Sequence, residues 1–361
     1  MVSSKIATLQ NSVDRGCRTE PGVSSLGFRT LTTLVLCLFL AGACAPTVAP
    51  RGFGHHEPML TDDYILTSDG TKLPLRFWLP NGSIKAVMLG LHGFNDYSKS
   101  FEHPAKNWTS AGFAVYAFDQ RGFGAAPHHG FWPGSKALTS DLVAVSQLLR
   151  NRHRGVPLYV VGESMGAAVI LAAYGNDDQP EVDGVILSAP AVWSRDHMPF
   201  YQRWALWLGV HTVPWMKLTG QGLEIRASDN DDMLSALSRD PLVIKETRID
   251  ALYGLTNLMG QAMASANKMD ARALILSGRE EQLIPESARS ALLARLPKNG
   301  RWSYAEYNSG FHMLMRDLNA GLVLNDIAAW VALRHAAAET VVRPVSSDEY
   351  MLQSNRYGAR R

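Results

Sequence analysis

The stretch that most constrains the fold is residues 156–173, where an apolar β-type run meets Gly162-Glu163-Ser164-Met165-Gly166 and small helical residues follow. So sharp a turn from strand to helix strains the backbone of Ser164 and exposes its Oγ at the sheet edge. A Cβ at Gly162 or Gly166 would collide within the turn. The N–H groups that begin the helix point to where a negative oxygen would form. The stretch predicts a nucleophilic serine, with a plain Gly/Ser turn as the alternative.

Composition and cysteine placement exclude several classes of protein. The 361 residues are 46% hydrophobic and carry a net charge of +2, which is ordinary globular composition and gives no broad electrostatic case for nucleic acid. Cys17, Cys37 and Cys44 all precede the predicted domain, which therefore contains no disulfide and no cysteine ligand. The pairs at 55–56 and 128–129 are histidines without carboxylate or cysteine partners at ligand spacing, so we expect no metal. No phosphate-binding loop follows a predicted strand, and no cofactor is implied.

Residues 1–44 are typical of an export leader. The apolar run at 31–43 is too short to span a bilayer comfortably and fits a signal peptide. The small residues before Cys44 resemble the lipobox of bacterial lipoproteins, although Ala41 stands where leucine is usual. We expect an exported protein, anchored in the cell envelope through a lipidated Cys44. Plain cleavage, giving a secreted or periplasmic form, is the alternative.

Beyond a Pro/Gly linker at residues 45–61, alternating strands and helices predict one α/β domain at 62–335. Its mostly parallel sheet has eight strands, with helices on both faces and an antiparallel edge formed by the first two strands. The predicted strands are 64–68, 73–79, 84–91, 113–118, 156–161, 182–187, 273–276 and 302–305. The predicted helices are about 101–111, 136–152, 165–175, 286–296 and 314–335. Residues 336–361 are expected to form a polar tail.

An insertion of helical and aromatic sequence at about 190–268 separates strands six and seven. It contains Trp193, Trp204, Trp207 and Trp215, among the chain's 9 tryptophans. These side chains could form the core of a small helical subdomain. Alternatively, they belong to a lid whose apolar face meets acyl chains or a bilayer, since tryptophan favours such interfaces.

A serine nucleophile needs a base and a group that orients that base, and after such a turn the order along the chain is serine, acid, histidine. His312 lies in a Gly-containing loop directly after the last predicted strand and is the expected base. The other histidines that follow Ser164 are weaker candidates for the base, because His197 and His211 lie in the insertion and His335 lies in an Ala-rich helix.

The acid should come from the loop after strand seven. Glu280 and Glu281 compete for this role, with Glu286 more distant, and spacing alone does not choose between them. Both glutamates could instead simply solvate a helix N-terminus. The loop after the third strand, residues 91–96, would supply the N–H of Phe94, which pairs with the N–H of Met165 as an oxyanion hole.

Five motifs, in order, resemble the monoacylglycerol lipase and lysophospholipase branch of the α/β-hydrolases, and the match covers about residues 62–333. The motifs are residues 92–98, 119–124, 162–166, 278–285 and 310–313. The resemblance implies an α/β-hydrolase fold with a helical lid inserted after strand six. It places the acid three residues after Gly278, at Glu281, where the family usually has Asp, and Glu280 remains a lesser candidate. Glu163 stands where His is common and receives no role.

The resemblance implies a serine hydrolase that cleaves a carboxylic ester of a lipid, a monoacylglycerol or lysophospholipid, and the leader adds the expectation that it is exported. Its catalytic residues would be Ser164, Glu281 and His312, with the backbone N–H groups of Phe94 and Met165 as oxyanion donors. Besides the lipid ester, the expected partner is a membrane surface, reached through a lipidated N-terminus or an apolar lid. The alternatives are an acyltransferase, a short-chain esterase and a non-catalytic lipid-binding lipoprotein.

Overall fold

The computed structural model describes residues 45–220, 222 and 224–339. The predicted leader at 1–44, with Cys44, lies outside these residues, as do residues 340–361 of the predicted tail. The first four residues of that tail, 336–339, instead belong to the last helix, which continues to Glu339. Within the described part of the chain, no helix combines the length and the apolar character needed to cross a bilayer.

Nine strands of the described chain form the central sheet, and six of them are parallel. The strands are β1 (Met59–Leu60), β2 (Tyr64–Leu66), β3 (Lys72–Trp78), β4 (Ala86–Leu91), β5 (Phe113–Phe118), β6 (Leu158–Glu163), β7 (Gly184–Ser188), β10 (Ala273–Gly278) and β11 (Trp302–Tyr307). Their order is β1-β2-β3-β5-β4-β6-β7-β10-β11, with β1 to β3 forming the antiparallel edge. Strands β4, β5, β6, β7 and β10 are buried throughout, as expected where helices cover both faces.

The predicted count of eight strands misses β1, which lies inside the predicted linker. Two residues are too few to show an alternating pattern, and β1 exists because it pairs with β2. The linker also contacts the domain further upstream: the Ala49 N–H donates to the carbonyl of Trp132 at 2.8 Å, and the Thr47 N–H donates to Asp250 at 3.3 Å.

Helices pack on both faces of the sheet. They are α1 (Glu102–Ser110), α2 (Ser135–Arg152), α3 (Met165–Ala173), α4 (Phe200–Thr212), α5 (Asp231–Arg239), α6 (Ile249–Ser265), α7 (Glu286–Arg295) and α8 (Ala320–Glu339). Side chains of α1 and α8 form the core on one face, and side chains of α2, α3, α6 and α7 contribute to the core on the other. Helix α8 begins six residues later than predicted, because turns at Met313 precede it: the N–H groups of Arg316 and Asp317 both donate to the Met313 carbonyl.

The insertion divides into a buried part and an outlying part. Helix α6 joins the main core through Leu258, Met259 and Ala262. In α4 only Val210 is buried, and α5 contains no buried residue. The outlying part also contains a two-stranded sheet formed by β8 (Lys217–Thr219) and β9 (Glu246–Arg248).

A buried arginine, Arg121, links the turn that follows β5 to two neighbouring segments. The Arg121 guanidinium donates to Asp141 at 2.6 and 2.9 Å and to Asp69 at 2.6 and 3.0 Å. It thereby joins the β2–β3 hairpin to α2. The planar fork of arginine suits two carboxylates at once.

Candidate active site

Ser164 lies on the tight turn between β6 and α3. Its φ of 54° and ψ of −111° lie outside the regions that most residues adopt. The two glycines make the turn possible: a Cβ on Gly162 would lie 2.4 Å from the amide nitrogen of Ala167, and one on Gly166 would lie 2.1 Å from the carbonyl oxygen of Leu91. The Ser164 N–H donates to the carbonyl of Ser188 at 2.9 Å, which fixes the backbone of the turn to β7.

His312 and Glu281 form a buried pair beside this turn. The His312 Nδ1 lies 2.6 Å from Glu281 Oε2, and the two side chains are 5% and 0% exposed. A carboxylate only accepts hydrogen bonds, so Nδ1 carries the proton and Nε2 is free to accept one. Glu281 Oε1 accepts the N–H groups of Leu283 and Ile284 at 2.6 and 3.1 Å, which fixes the carboxylate. Glu280, in contrast, is exposed, and its N–H donates to the Gly310 carbonyl.

The environment of Glu281 favours its charged form. Burial by itself would raise the pKa of this carboxyl. The hydrogen bond from His312, the positive charge that His312 carries when it is protonated, and the two backbone N–H donors together outweigh burial and hold the pKa of Glu281 below its usual value of 4.5. Glu281 is therefore ionised at neutral pH.

The loops that carry the acid and the base touch each other at two glycines. A Cβ on Gly278 would lie 2.0 Å from the carbonyl oxygen of Gly310, so only glycine allows this approach. The contact brings the loop after β10 against the loop after β11. It thereby places Glu281 within reach of His312.

The segment after β4 borders the nucleophile. A Cβ on Gly93 would lie 3.6 Å from the Ser164 Cβ. Within the described residues, the Phe94 N–H has no hydrogen-bond acceptor, and Met165 begins α3. His92 holds the segment in place, because its Nε2 accepts the Gln120 N–H at 3.0 Å and its Nδ1 contacts the Gly93 carbonyl at 2.8 Å. Burial lowers the pKa of His92, consistent with this neutral role.

The candidate residues Ser164, His312 and Phe94 line a cavity of about 390 Å³. Its walls are mainly apolar and come from both the sheet edge and the insertion. The apolar wall consists of Trp193, Met198, Leu252, Leu255, Met259, Leu283 and Ile284. Helix α6 thus serves both the core and the cavity.

Three buried charged residues also line this cavity, and the sequence alone predicts no role for any of them. Arg316 Nη2 donates to Glu163 Oε2 at 2.7 Å, and Arg316 Nη1 lies 2.8 Å from Asp96 Oδ2. The side chains of Arg316, Asp96 and Glu163 are 8%, 7% and 3% exposed. We call these three residues the Arg316 cluster. Glu163 is the one signal of this cluster in the sequence. It ends a buried strand, and a buried carboxylate needs a cation nearby.

Comparisons with known proteins agree with this architecture. The family model described as serine aminopeptidase, S33, matches residues 82–319. The monoacylglycerol lipase of Mycolicibacterium smegmatis is 28% identical over 284 residues, covering 73% of this chain and 93% of its own length. The human monoglyceride lipase is 24% identical over 313 residues, covering 82% of this chain and 98% of its own length.

Solved structures of similar proteins share the fold. The monoacylglycerol lipase of Paleococcus ferrophilus superposes with a TM-score of 0.61 at 20% identity, covering 73% of this chain and 99% of that one. A soluble variant of the Saccharomyces cerevisiae monoglyceride lipase gives 0.64 at 19% identity, covering 79% of this chain and 99% of that one. The predicted α/β-hydrolase fold is confirmed, and the relatives identify the chain as a carboxylic ester hydrolase. The chain belongs to the serine aminopeptidase S33 family of α/β-hydrolases and is similar to its monoacylglycerol lipases.

Proposed function

We propose that this protein is an exported serine hydrolase that cleaves a monoacylglycerol or a lysophospholipid at its carboxylic ester, using Ser164, His312 and Glu281. The observation that carries the proposal is the 2.6 Å contact of Glu281 with Nδ1 of His312, which lines the same cavity as Ser164. A serine on a strained turn, a buried histidine and an orienting carboxylate together make an acyl-transfer site.

The proposed reaction proceeds in two acyl-transfer steps. As Ser164 Oγ bonds to the ester carbonyl carbon, its proton passes to His312 Nε2, and Glu281 stabilises the resulting imidazolium. The N–H groups of Phe94 and Met165 bind the oxygen that becomes negative. The proton on Nε2 then passes to the departing alcohol as the ester C–O bond breaks. Water repeats the sequence, which releases the fatty acid and restores Ser164.

The cavity and the relatives together support a lipid ester as substrate. Trp193, Met198 and the leucines of α6 give the cavity an apolar wall that suits an acyl chain. Each buried methylene contributes about 0.8 kcal/mol, so a longer chain gains affinity as more of it is covered. The relatives at 24–28% identity are lipases of monoacylglycerols by name.

A panel of esters tests the proposal. The protein is incubated with p-nitrophenyl esters of increasing chain length, with monoacylglycerols and with lysophospholipids, with and without an alcohol acceptor. We expect the highest kcat/KM on long-chain monoesters, with fatty acid as product. Transfer to the alcohol would indicate an acyltransferase, preference for acetate a short-chain esterase, and binding without turnover a lipid-binding lipoprotein.

The outlying part of the insertion presents apolar side chains to solvent, and we propose that it contacts the membrane. Trp204, Trp207 and Trp215 are 65%, 49% and 56% exposed, so they do not form a separate core. Phe200, Tyr201, Leu208, Met216 and Leu218 are exposed as well. Tryptophan and tyrosine favour the region between lipid headgroups and acyl chains.

Replacing Trp204 and Trp207 together by alanine should weaken binding to phospholipid vesicles while sparing the hydrolysis of p-nitrophenyl acetate. Each aromatic side chain withdrawn from water stabilises binding by roughly 1.5 kcal/mol, so the double variant should bind at least tenfold more weakly. Co-sedimentation with vesicles measures the binding. Phe53→Ala is the matched control, because Phe53 is 92% exposed outside the insertion. Equal losses of vesicle binding, acetate hydrolysis and melting temperature would contradict a surface role.

We further propose export with lipidation at Cys44, on the grounds of the leader sequence alone. Cys44→Ser should leave an unprocessed precursor without lipid, and globomycin, which inhibits the lipoprotein signal peptidase of the bacterial host, should also leave the precursor uncleaved. Mass spectrometry of the N-terminus and fractionation of membranes measure both effects. An unchanged, soluble mature chain in both conditions would indicate ordinary signal cleavage.

A further inference from the structure

The Arg316 cluster has no part in the proposed proton transfers, yet its members come from three of the four segments that carry the proposed catalytic groups. Asp96 lies two residues after Phe94, Glu163 directly precedes Ser164, and Arg316 lies four residues after His312. One guanidinium therefore joins the segments of the oxyanion donor, the nucleophile and the base.

Further hydrogen bonds connect the cluster to the backbone of these segments. The Tyr97 N–H donates to Asp96 Oδ1 at 2.8 Å, and the Asp96 N–H donates to the Gly93 carbonyl at 3.3 Å. The Arg316 N–H donates to the Met313 carbonyl at 2.7 Å, next to the proposed base. A displaced Arg316 side chain would therefore lose the contacts that join the segments of Asp96 and Glu163 to the segment of the base.

Stability alone does not account for the cluster. Replacing buried ion pairs by well-packed apolar side chains is often neutral or stabilising, because charges are costly to remove from water. Glu163 Oε1 and Arg316 Nε, moreover, have no hydrogen-bond partner among the described residues. Burial raises the pKa of Glu163, and the Arg316 charge opposes this rise. The hydrogen bond from Arg316 Nη2 thus fixes the position of the Glu163 side chain.

We propose that Arg316 is a positioning residue: by holding Asp96 and Glu163 it keeps the Phe94 N–H, Ser164 and His312 in one arrangement. The inference rests on the proposed ester hydrolysis. A small displacement of an oxyanion donor or of the base weakens the transition state more than it weakens substrate binding. Loss of the cluster should therefore lower kcat and change KM little.

Arg316→Lys tests the proposal against a matched control, Arg121→Lys. Both substitutions keep a positive charge but replace a guanidinium group that contacts two carboxylates by a single ammonium group. Active sites are counted by stoichiometric labelling with a fluorophosphonate, so that kcat refers to folded protein. We expect Arg316→Lys to lower kcat for p-nitrophenyl butyrate at least tenfold with KM within threefold. Arg121→Lys should lower the melting temperature while kcat per labelled site stays within twofold.

Two further variants keep the test decisive. Glu163→Gln retains an oxygen acceptor for Arg316, so its kcat should fall less than fivefold. The triple variant Asp96→Asn/Glu163→Gln/Arg316→Met removes all three charges of the cluster at similar volume, and should show the same loss of kcat as Arg316→Lys even if the lysine variant does not fold.

Three results would overturn the inference, and they are distinguishable. A kcat per labelled site within twofold of wild type in the Arg316 variants would show that the cluster is only structural. A Glu163→Gln variant as inactive as Ser164→Ala would assign Glu163 to the chemistry itself. A wild-type chain that hydrolyses no ester would contradict the proposed function, and the positioning role would fail with it.

Discussion

Ser164→Ala should lower kcat for every ester by about 10⁴-fold to 10⁶-fold, because no other group then attacks the carbonyl carbon. The fold should survive. The backbone bonds of Ser164, to the Ser188 carbonyl and from the Ala191 N–H, do not involve its Oγ. Steady-state hydrolysis of p-nitrophenyl butyrate measures the loss, and a thermal melt confirms that the variant is folded.

A matched serine and a covalent probe complete this experiment. Ser146 is buried in α2, and its Oγ donates only to the Val143 carbonyl of the same helix, so Ser146→Ala should keep full activity. A fluorophosphonate should add one phosphonyl group to the peptide that contains Ser164. Label on another serine, or a Ser164→Ala variant within tenfold of wild type, would refute the assignment of the nucleophile.

Glu281→Gln should lower kcat by about 10³-fold to 10⁴-fold with a small change in KM. The neutral amide cannot stabilise the imidazolium as a carboxylate does, and its NH₂ group favours the wrong histidine tautomer. Leu283 and Ile284 can still donate to the amide oxygen, so the loop should keep its shape. Because the pKa of Glu281 is held below 4.5, its own titration should not limit the wild-type rate above that pH.

Glu280→Gln is the control that separates the two neighbouring glutamates. Glu280 is exposed, so removing its charge should change kcat less than threefold. The opposite result, with Glu280→Gln inactive and Glu281→Gln nearly normal, would show that Glu280 is the acid.

The sequence was most informative where one local pattern determines one local structure. The run from 156 to 173 predicts the turn at Ser164, because Gly162 and Gly166 stand at two positions of this turn where a Cβ would collide with the backbone. The central strands were found because a sheet covered on both faces requires continuous apolar runs. Strand ends were less accurate: β10 extends two residues beyond its predicted end at 276 because its pairing with β11 continues to Gly278.

Contacts between distant segments were beyond the reach of the sequence. Spacing left Glu280 and Glu281 equivalent, and the resemblance favoured Glu281. In the structure the contact of Gly278 with Gly310 aims Glu281 at His312. Arg316 was missed for the same reason, since its partners lie 153 and 220 positions earlier in the chain.

The division of the insertion into a buried and an outlying part determines which segment can be exchanged with a relative to change substrate specificity. A chimera that replaced all of residues 190–268 would delete α6, and with it Leu258 and Ala262 of the hydrophobic core. Breakpoints near Trp193 and just before Ile249 would instead transfer α4, β8, α5 and β9 as one cassette and leave the scaffold complete. The apolar wall of the cavity would then come from two proteins. The relative would supply the part that contains Met198 here, and α6 of this chain would still supply Leu252, Leu255 and Met259.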